Sequence, residues 1–283
     1  MENEISNISD TAFWIAGFRA LETERADAAF KDHLARKLAG DRGLQMAQNT
    51  PNSGAMAFAM TVRTTAIDGL ISKAISFGID TVINMAAGLD TRPYRMTLPS
   101  SLKWIEVDLP SIIEYKNEKL KNEIPHCQLE RVTADLAADD QRKILFETIG
   151  RRTMKALIIT EGLVAYLKPQ QAENLSKDIF QVPSFVYWIQ DYSRGSLRRA
   201  RHTRQLSKMV KQTPFQFDVK DPLSFFSRQG WKVKENILIL DEADRIGRRL
   251  PFLFPWTLFA RLFPSLIRRT ANQTYGYVMF AKE

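Results

Sequence analysis

Apolar residues recur at helical spacing along the first eighty positions and then fall into short strand-length runs. Ser9-Asp10-Thr11 offers an N-cap, and Phe13, Trp14, Ile15, Phe18 and Leu21 follow at the spacings of one helix. Ala28, Phe30, Leu34 and Leu38 continue an amphipathic pattern that Gly40 and Gly43 are expected to stop. Residues 49–54 carry loop-forming residues, and a further helix is expected over 55–77, with Arg63 on an otherwise apolar Met/Ala/Ile surface. From residue 81 the rhythm alternates. Strands are predicted over 81–85, 103–108, 128–134, 156–161 and 184–190, with helices between them, notably 110–123 and 169–180. Such alternation predicts a doubly wound α/β fold with a parallel sheet and right-handed crossovers. A basic helical stretch at 194–211, a helix at 222–230 and strands at 231–240 and 274–281 complete the chain, the last two as an added hairpin.

Composition narrows this modestly. The 283 residues suit one large α/β domain with additions, or two small ones, and the 45% hydrophobic and 25% charged content is ordinary for a globular protein. One cysteine, Cys127, rules out an intramolecular disulfide, and the scattered His33, His126 and His202 argue against a metal site. The polar, acidic first ten residues read as neither signal nor transit peptide. No uninterrupted apolar run reaches the roughly 18 residues a spanning helix needs. A cytoplasmic address is expected. The net charge of +8 is concentrated in 194–211, which holds seven Lys/Arg and one His. That stretch reads as a solvated helix face or as a dock for an acidic or carrier-protein-bound substrate; nucleic acid is not expected, since no binding module accompanies the charge. The proline-broken aromatic stretch from Leu250 to Arg269 reads as a cap, a self-association surface or a membrane-surface contact, and monomer and homodimer both stay open.

Candidate chemistry centres on residues 81–93. A buried strand leads into the small-residue turn Ala86-Ala87-Gly88, then Asp90 or Thr91 caps a helix that has Pro93 in its first turn. Such a turn serves either as a cofactor cradle or as a plain tight connection. Acids then stand at successive strand ends: Glu106-Val107-Asp108, Asp135 and Glu161. Asp108 follows Asp90 by close to the ~20 residues that separate a phosphate-type turn from a ribose-binding acid. Helix capping is the alternative for each acid, but three in a row point to a nucleoside ligand.

Six motifs in register carry a resemblance. They are Ser9-Asp10-Thr11-Ala12 with Arg19-Ala20-x-Glu22 and Ala35-x-x-Leu38-Ala39-Gly40; Arg63-Thr64-x-x-Ile67-Asp68; Gly88-Leu89-Asp90-Thr91-Arg92-x-x-Arg95; Glu106-Val107-Asp108-Leu109-Pro110; Asp135-Leu136; and Glu161-Gly162-x-x-x-Tyr166-Leu167. Over nearly its whole length the chain resembles the leucine carboxyl methyltransferase-like family of S-adenosylmethionine-dependent methyltransferases, in its bacterial branch of small-molecule O-methyltransferases. The resemblance implies a class I methyltransferase (Rossmann-like) sheet, mostly parallel with an antiparallel last strand. Residues 1–80 would pack on the core and close the cofactor site, and 81–283 would form the core, with cap insertions near 194–220 and 246–272.

For the cofactor, S-adenosyl-L-methionine, the resemblance implies that Arg63 pairs with the methionine carboxylate and that Ala86 and Gly88 line the turn beneath it. Asp108 would hold the ribose hydroxyls, Asp135 and Leu136 would border the adenine, and Glu161 would lie near the amino-acid end. Ala86 stands where the family usually has its first glycine. The implied chemistry is SN2 transfer of the sulfonium methyl to an oxygen, for which the protein supplies alignment and water exclusion. A carboxylate acceptor needs no base, whereas a hydroxyl wants one. Tyr166 is the candidate for orienting the acceptor, and Tyr187, Trp188 and Tyr192 cluster near the fifth strand's end, with core packing the reading for Trp188. The competing readings are a non-catalytic cofactor-binding or partner-docking module and a nicotinamide-dependent reductase.

Overall fold

The computed structural model describes residues 8–194, 215–251, 262 and 264–282. Three helices lead: α1 (Ile8–Thr23), α2 (Ala35–Gln48) and α3 (Ser53–Ser76). Strands and helices then alternate as β1 (Thr81–Met85), α4 (Arg92–Arg95), β2 (Lys103–Asp108), α5 (Pro110–Leu120), β3 (Gln128–Thr133), α6 (Asp139–Arg151), β4 (Ala156–Thr160), a 3-10 turn at Val164–Tyr166, α7 (Pro169–Gln181) and β5 (Phe185–Ser193). Beyond these lie α8 (Pro222–Ser227), β6 (Lys232–Leu238), α9 (Ile239–Arg245), α10 (Pro264–Thr274) and β7 (Tyr275–Ala281). The seven strands run in the order β3-β2-β1-β4-β5-β7-β6. All pairings from β3 to β5 are parallel, and β7 runs antiparallel to both β5 and β6. This is the expected doubly wound sheet with a reversed last strand.

β1 and β4 are buried along their whole length, as a parallel strand covered by helices on both faces must be. One face packs on α3 and α9 through residues such as Val62, Leu70, Trp104, Tyr277 and Met279. The other packs on α6, α7 and α8 through Phe146, Ile179, Trp188, Phe226 and Trp231. Switching helix faces at β1 leaves a crevice at the carboxyl ends of β1 and its neighbours, where ligands of such sheets collect.

Three local expectations change. Gly40 does interrupt α2, since its φ of 58° and ψ of −175° are not helical and Ala35–Gln48 is two helical pieces across a kink, whereas Gly43 does not stop the second piece and sits where α1 crosses. A methyl on Gly43 would stand 2.5 Å from the carbonyl oxygen of Phe13, and one on Gly17 would collide with the carbonyl of Gly43. These glycines let two helices touch backbone to backbone. Gly17→Ala would gain about 1 kcal/mol of helix propensity, but overpacking costs about 1–3 kcal/mol, so a net loss of stability is expected. A urea midpoint equal to or above that of the unaltered chain would refute this.

Second, β6 stops at Leu238 and the apolar pair Ile239-Leu240 opens α9, because Ile-Leu-Ile-Leu suits either element while Asp241 and Glu242 favour a helix's first turn. Third, β6 and β7 are antiparallel neighbours joined through α9 and α10, not by a tight turn. Arg268 on α10 bridges to Asp241 and Asp244 on α9, each at 2.5 Å. The basic stretch 194–211, apart from Arg194, and residues 252–261 and 263 of the aromatic stretch lie outside the described residues. Among the described residues no helix is long and apolar enough to cross a membrane, and no group of three His, Cys, Asp or Glu residues is placed to hold a metal.

Candidate cofactor and acceptor site

The turn after β1 sits on the end of β2. Ala87 N–H donates to the Val107 carbonyl (3.2 Å), Gly88 N–H donates to Asp108 Oδ2 (2.6 Å) and Leu109 N–H donates to Asp108 Oδ1 (2.7 Å). Asp108 is therefore aimed by two backbone amides at the rim of the crevice. Burial pushes its carboxyl above the ordinary carboxylate range, and the two amides only partly oppose that. Gly88 has φ 51° and Ala86 φ 50°. A methyl on Gly88 would make ordinary contact with Ala12, so its requirement is conformational. Ala86 holds the same left-handed geometry with a side chain, at about 1–2 kcal/mol. Ala86→Gly is therefore expected to stabilise the chain by about 0.5–1 kcal/mol once glycine's extra unfolded-state entropy is subtracted, read as a raised urea midpoint. A lowered midpoint would show that the turn is unstrained.

Around the turn the side chains form one buried ionic network. Arg92 Nη1 donates to Asp90 and to Glu161, both at 2.8 Å, while its Nε donates to Asp68 at 2.7 Å. Arg95 takes Asp68 with two nitrogens, at 2.6 and 2.9 Å. Arg63 Nε lies 2.8 Å from Glu161 Oε1 and Nη1 lies 3.9 Å from Asp191. Asp191 in turn accepts from Gly162 N–H (2.7 Å) and from the Tyr275 hydroxyl (2.8 Å). On the N-terminal side, Asp32 accepts from Arg19 Nε (2.8 Å), from Thr91 Oγ1 (2.6 Å) and from the first amide of α2 at Ala35 (3.1 Å). Helices α1 to α3 are thereby bonded to the turn. Burial opposes ionisation of Asp90, yet Arg92, Lys116 and Arg19 hold it well below the ordinary range; burial likewise opposes the charge on Arg63, and Glu161 and Asp191 keep it above its usual value.

A cavity of about 530 Å³ opens between α1, α3 and the strand ends. Of the residues expected at a site, Arg63, Ala86, Gly88, Asp108, Glu161 and Tyr166 line it. Asp135 and Leu136 are not among the lining residues: Ala134 N–H donates to the Asp108 carbonyl (3.0 Å), Asp135 turns back to accept from Ala137 N–H (2.9 Å), and Leu136 packs on the core. Burial pushes the Tyr166 phenol up, so it stays protonated near neutral pH; its neighbours include Thr11 and Arg63. Trp188 is core, its Nε1 donating to Thr160 Oγ1 at 2.8 Å, whereas Tyr192 lines the cavity.

Glu106, grouped with the strand-end acids, is fully buried against Lys116 (2.7 Å) and Arg131 (2.8 Å) and serves the fold. Cys127 is buried with its thiol pushed up to about 11, which removes it as a nucleophile. The residues that sequence reasoning left without a role are Arg92 and Asp68, although both sit inside the quoted motifs, and Asp191 and Gln190, which carry no local signal. Asp90, read only as a helix cap, accepts from the Arg92 amide and also pairs with the Arg92 guanidinium.

Strand order, reversed last strand, turn and strand-end acid together define a class I methyltransferase fold. A DUF574 family protein from Streptomyces avermitilis shares it with a TM-score of 0.58 at 14% identity, over 95% of this chain and 97% of that one. A methyltransferase structure from Thermobifida fusca, provisionally so named, gives 0.58 at 15% over 96% and 94%. In sequence, the leucine carboxyl methyltransferase family model matches residues 12–180. A Streptomyces coelicolor protein provisionally named an S-adenosyl-L-methionine-dependent methyltransferase is 34% identical over 264 residues, 88% of this chain and 91% of its own length. A Rhodococcus jostii protein of the same provisional name is 29% identical over 88% and 90%. The chain belongs to the leucine carboxyl methyltransferase family of S-adenosylmethionine-dependent methyltransferases.

Proposed function

We propose that this protein transfers a methyl group from S-adenosyl-L-methionine to an oxygen of a small molecule, preferably a carboxylate. The observation that carries the carboxylate is the chemistry of the cavity wall. Among the described lining residues there is no His, Lys or Cys, and the Tyr166 phenol is held protonated. The carboxylates there are already engaged, Asp90 and Glu161 by arginines, Asp191 by Gly162 and Tyr275, and Asp108 by two backbone amides. A hydroxyl acceptor would want a base, whereas a carboxylate is already ionised near neutral pH.

The residues present fit the cofactor. Asp108, aimed by two amides at the cavity rim, would accept from the ribose hydroxyls, and the left-handed turn at Ala86 and Gly88 leaves backbone open beneath them. Arg63 has more N–H groups than its two acid partners engage and would take the cofactor's carboxylate, while Glu161 would stand by its amino group. Asp135 and Leu136 would border the adenine from the end of β3. The bound cofactor supplies a methyl on a sulfonium, already activated for transfer. The chain's part is alignment: Tyr166 would donate to the acceptor and fix its approach, and α1 and α3 would keep water out.

The test follows methyl-labelled cofactor into product from a panel of organic acids and phenols. Label released as methanol by mild alkali identifies an ester and supports the reading; alkali-stable product alone would place the methyl on a hydroxyl. Isothermal titration showing no binding of S-adenosylhomocysteine would remove the cofactor itself. With an acid as acceptor, kcat/KM should stay level through neutral into mildly alkaline pH, because neither acceptor nor Tyr166 titrates there. Tyr166→Phe should lower kcat/KM about tenfold through one lost hydrogen bond and keep S-adenosylhomocysteine affinity within about twofold. A rate that climbs steadily with pH in the unaltered enzyme would instead mark a base.

A further inference from the structure

We infer that Gln190 is an acceptor-binding residue and that the acceptor is a mono-anionic acid with an apolar body, not a polyacid or a sugar-like metabolite. The inference builds on the proposed methyl transfer and names the substrate class of that same cavity. Gln190 is fully buried on β5 and stands among the residues lining the cavity. Among the described residues neither its Nε2 nor its Oε1 has a hydrogen-bond partner. Buried side-chain amides left unpaired are uncommon and costly, and they persist where a ligand completes them.

The neighbouring hydroxyls explain why it is idle. Thr160, its register partner on β4, has its oxygen taken by Trp188 Nε1 at 2.8 Å. Tyr192, two residues along the same face, donates its hydroxyl to Asn236 Oδ1 at 2.9 Å. The Thr160 hydroxyl proton goes to the Ile189 carbonyl (3.5 Å) and that of Tyr192 to Asn236, so neither is left for Gln190 Oε1.

Position and surroundings give the ligand class. From Asp108 on β2 to Gln190 on β5 the sheet advances three strand spacings, about 14 Å. Gln190 is therefore at the far end from the nucleoside, beyond Glu161, where the acceptor must lie. The lining is rich in apolar side chains, among them Trp14, Ile15, Met56, Met60, Phe217 and Ile239. The polar side chains Asp191 and Tyr192 next to Gln190 on β5 are already bonded, Asp191 to Gly162 and Tyr275 and Tyr192 to Asn236. The cationic side chains in the lining are all arginines, and each already has a carboxylate: Arg19 with Asp32, Arg63 with Glu161, Arg92 with Asp90 and Asp68, Arg95 with Asp68. With the remaining N–H groups of Arg63 given to the cofactor's carboxylate, a second acidic group on the acceptor would find no spare cation, which is unfavourable. One oxygen head donated to by Gln190 Nε2, on an alkyl or aryl body, would complete this amide and suit the apolar side chains of the lining.

The experiment titrates the full chain, alone and saturated with S-adenosylhomocysteine, with octanoate and cinnamate against gluconate and succinate, read by calorimetry and tryptophan fluorescence. Octanoate or cinnamate should bind at least about tenfold tighter than either polar acid, and Gln190→Leu should weaken it about tenfold. The same variant should keep S-adenosylhomocysteine affinity within about twofold and melt no lower than the unaltered chain, because an unpartnered amide has no fold bond to lose. Should Gln190→Leu not fold, Met56→Gln, at the half-buried start of α3, should weaken octanoate and leave gluconate unchanged. The inference is overturned if gluconate or succinate binds as tightly as octanoate, or if folded Gln190→Leu binds octanoate normally. Gln190-dependent binding of octanoate without any binding of S-adenosylhomocysteine would keep this inference and remove the methyl-transfer reading; the converse would do the reverse.

Discussion

Asp108→Ala is expected to weaken S-adenosylhomocysteine binding by about a hundredfold or more while leaving the chain folded. The carboxylate ends β2, and both its oxygens are held in place by the Gly88 and Leu109 amides. Each hydrogen bond to a charged acceptor contributes about 1.5–3 kcal/mol, and a ribose offers two hydroxyls, so the loss is about 3–6 kcal/mol. Alanine also releases the two amides that fix the turn, which adds to the loss in binding more than to the loss in stability, since the rim is partly open. Asp108→Asn keeps the shape and one acceptor oxygen and should fall between. The pH dependence has a definite sign. The group's folded pKa lies above its ordinary value, so its ionised form is disfavoured by folding, and affinity is lost on acidification at a pH above the ordinary carboxylate range. Calorimetry across a pH series reads both effects. Affinity unchanged in Asp108→Ala, or constant through acid, would remove the ribose role.

Arg92→Met is expected to be the most destabilising single change in the site. The guanidinium is buried and joins Asp68, Asp90 and Glu161. A methionine of similar length fills the space but leaves three acids in a low-dielectric setting with one cation fewer. Breaking a buried pair from one side costs about 3–5 kcal/mol, against a total stability of about 5–15 kcal/mol for a typical domain. Much of the chain should therefore be insoluble or show a urea midpoint strongly reduced. The penalty comes from uncompensated charge, so Arg92→Met with Glu161→Gln should lose less than the sum of the two single changes. It should also respond little to salt, unlike surface pairs such as Arg36–Glu24. Additive losses in the double variant would mean that Arg92 acts by packing alone.

These two changes separate what the network does from what the rim does. The network binds α1, α2 and α3 to the turn through Asp32, Asp68 and Glu161 and so sets the walls of the cavity. The rim carries Asp108, the proposed ribose acceptor. A lesion in the first should appear in stability, and a lesion in the second in affinity.

The chain's local pattern was sufficient for the elements whose signal is local. Residues 81–85 and 103–108 read as strands with their observed limits, because a parallel strand covered on both faces must be apolar throughout and is bounded by turn residues. Asp108 was legible for the same reason: its distance from the turn is fixed by one helix and one strand. Where the pattern suits two elements, as at Ile237-Leu238-Ile239-Leu240, or where a glycine serves a neighbouring helix, as Gly43 does, only the packed structure decides.

The same division holds in the site. Arg63, Glu161 and Tyr166 could be named from motifs, yet nothing local says that Arg92 reaches Glu161 across 69 positions or that Tyr275 closes on Asp191 across 84. Those pairings exist because crossovers return each strand beside β1 and stack the carboxyl ends together. Gln190 is the clearest case. An amide in a strand has no meaning as sequence; it acquires one only when Thr160 and Tyr192 are seen bonded elsewhere. Sequence alone determined the family, the sheet and the acid at its second strand. The tertiary structure decided which charges neutralise one another and which polar group is left for a ligand, because burial and partnership are properties of residues brought together from distant parts of the chain.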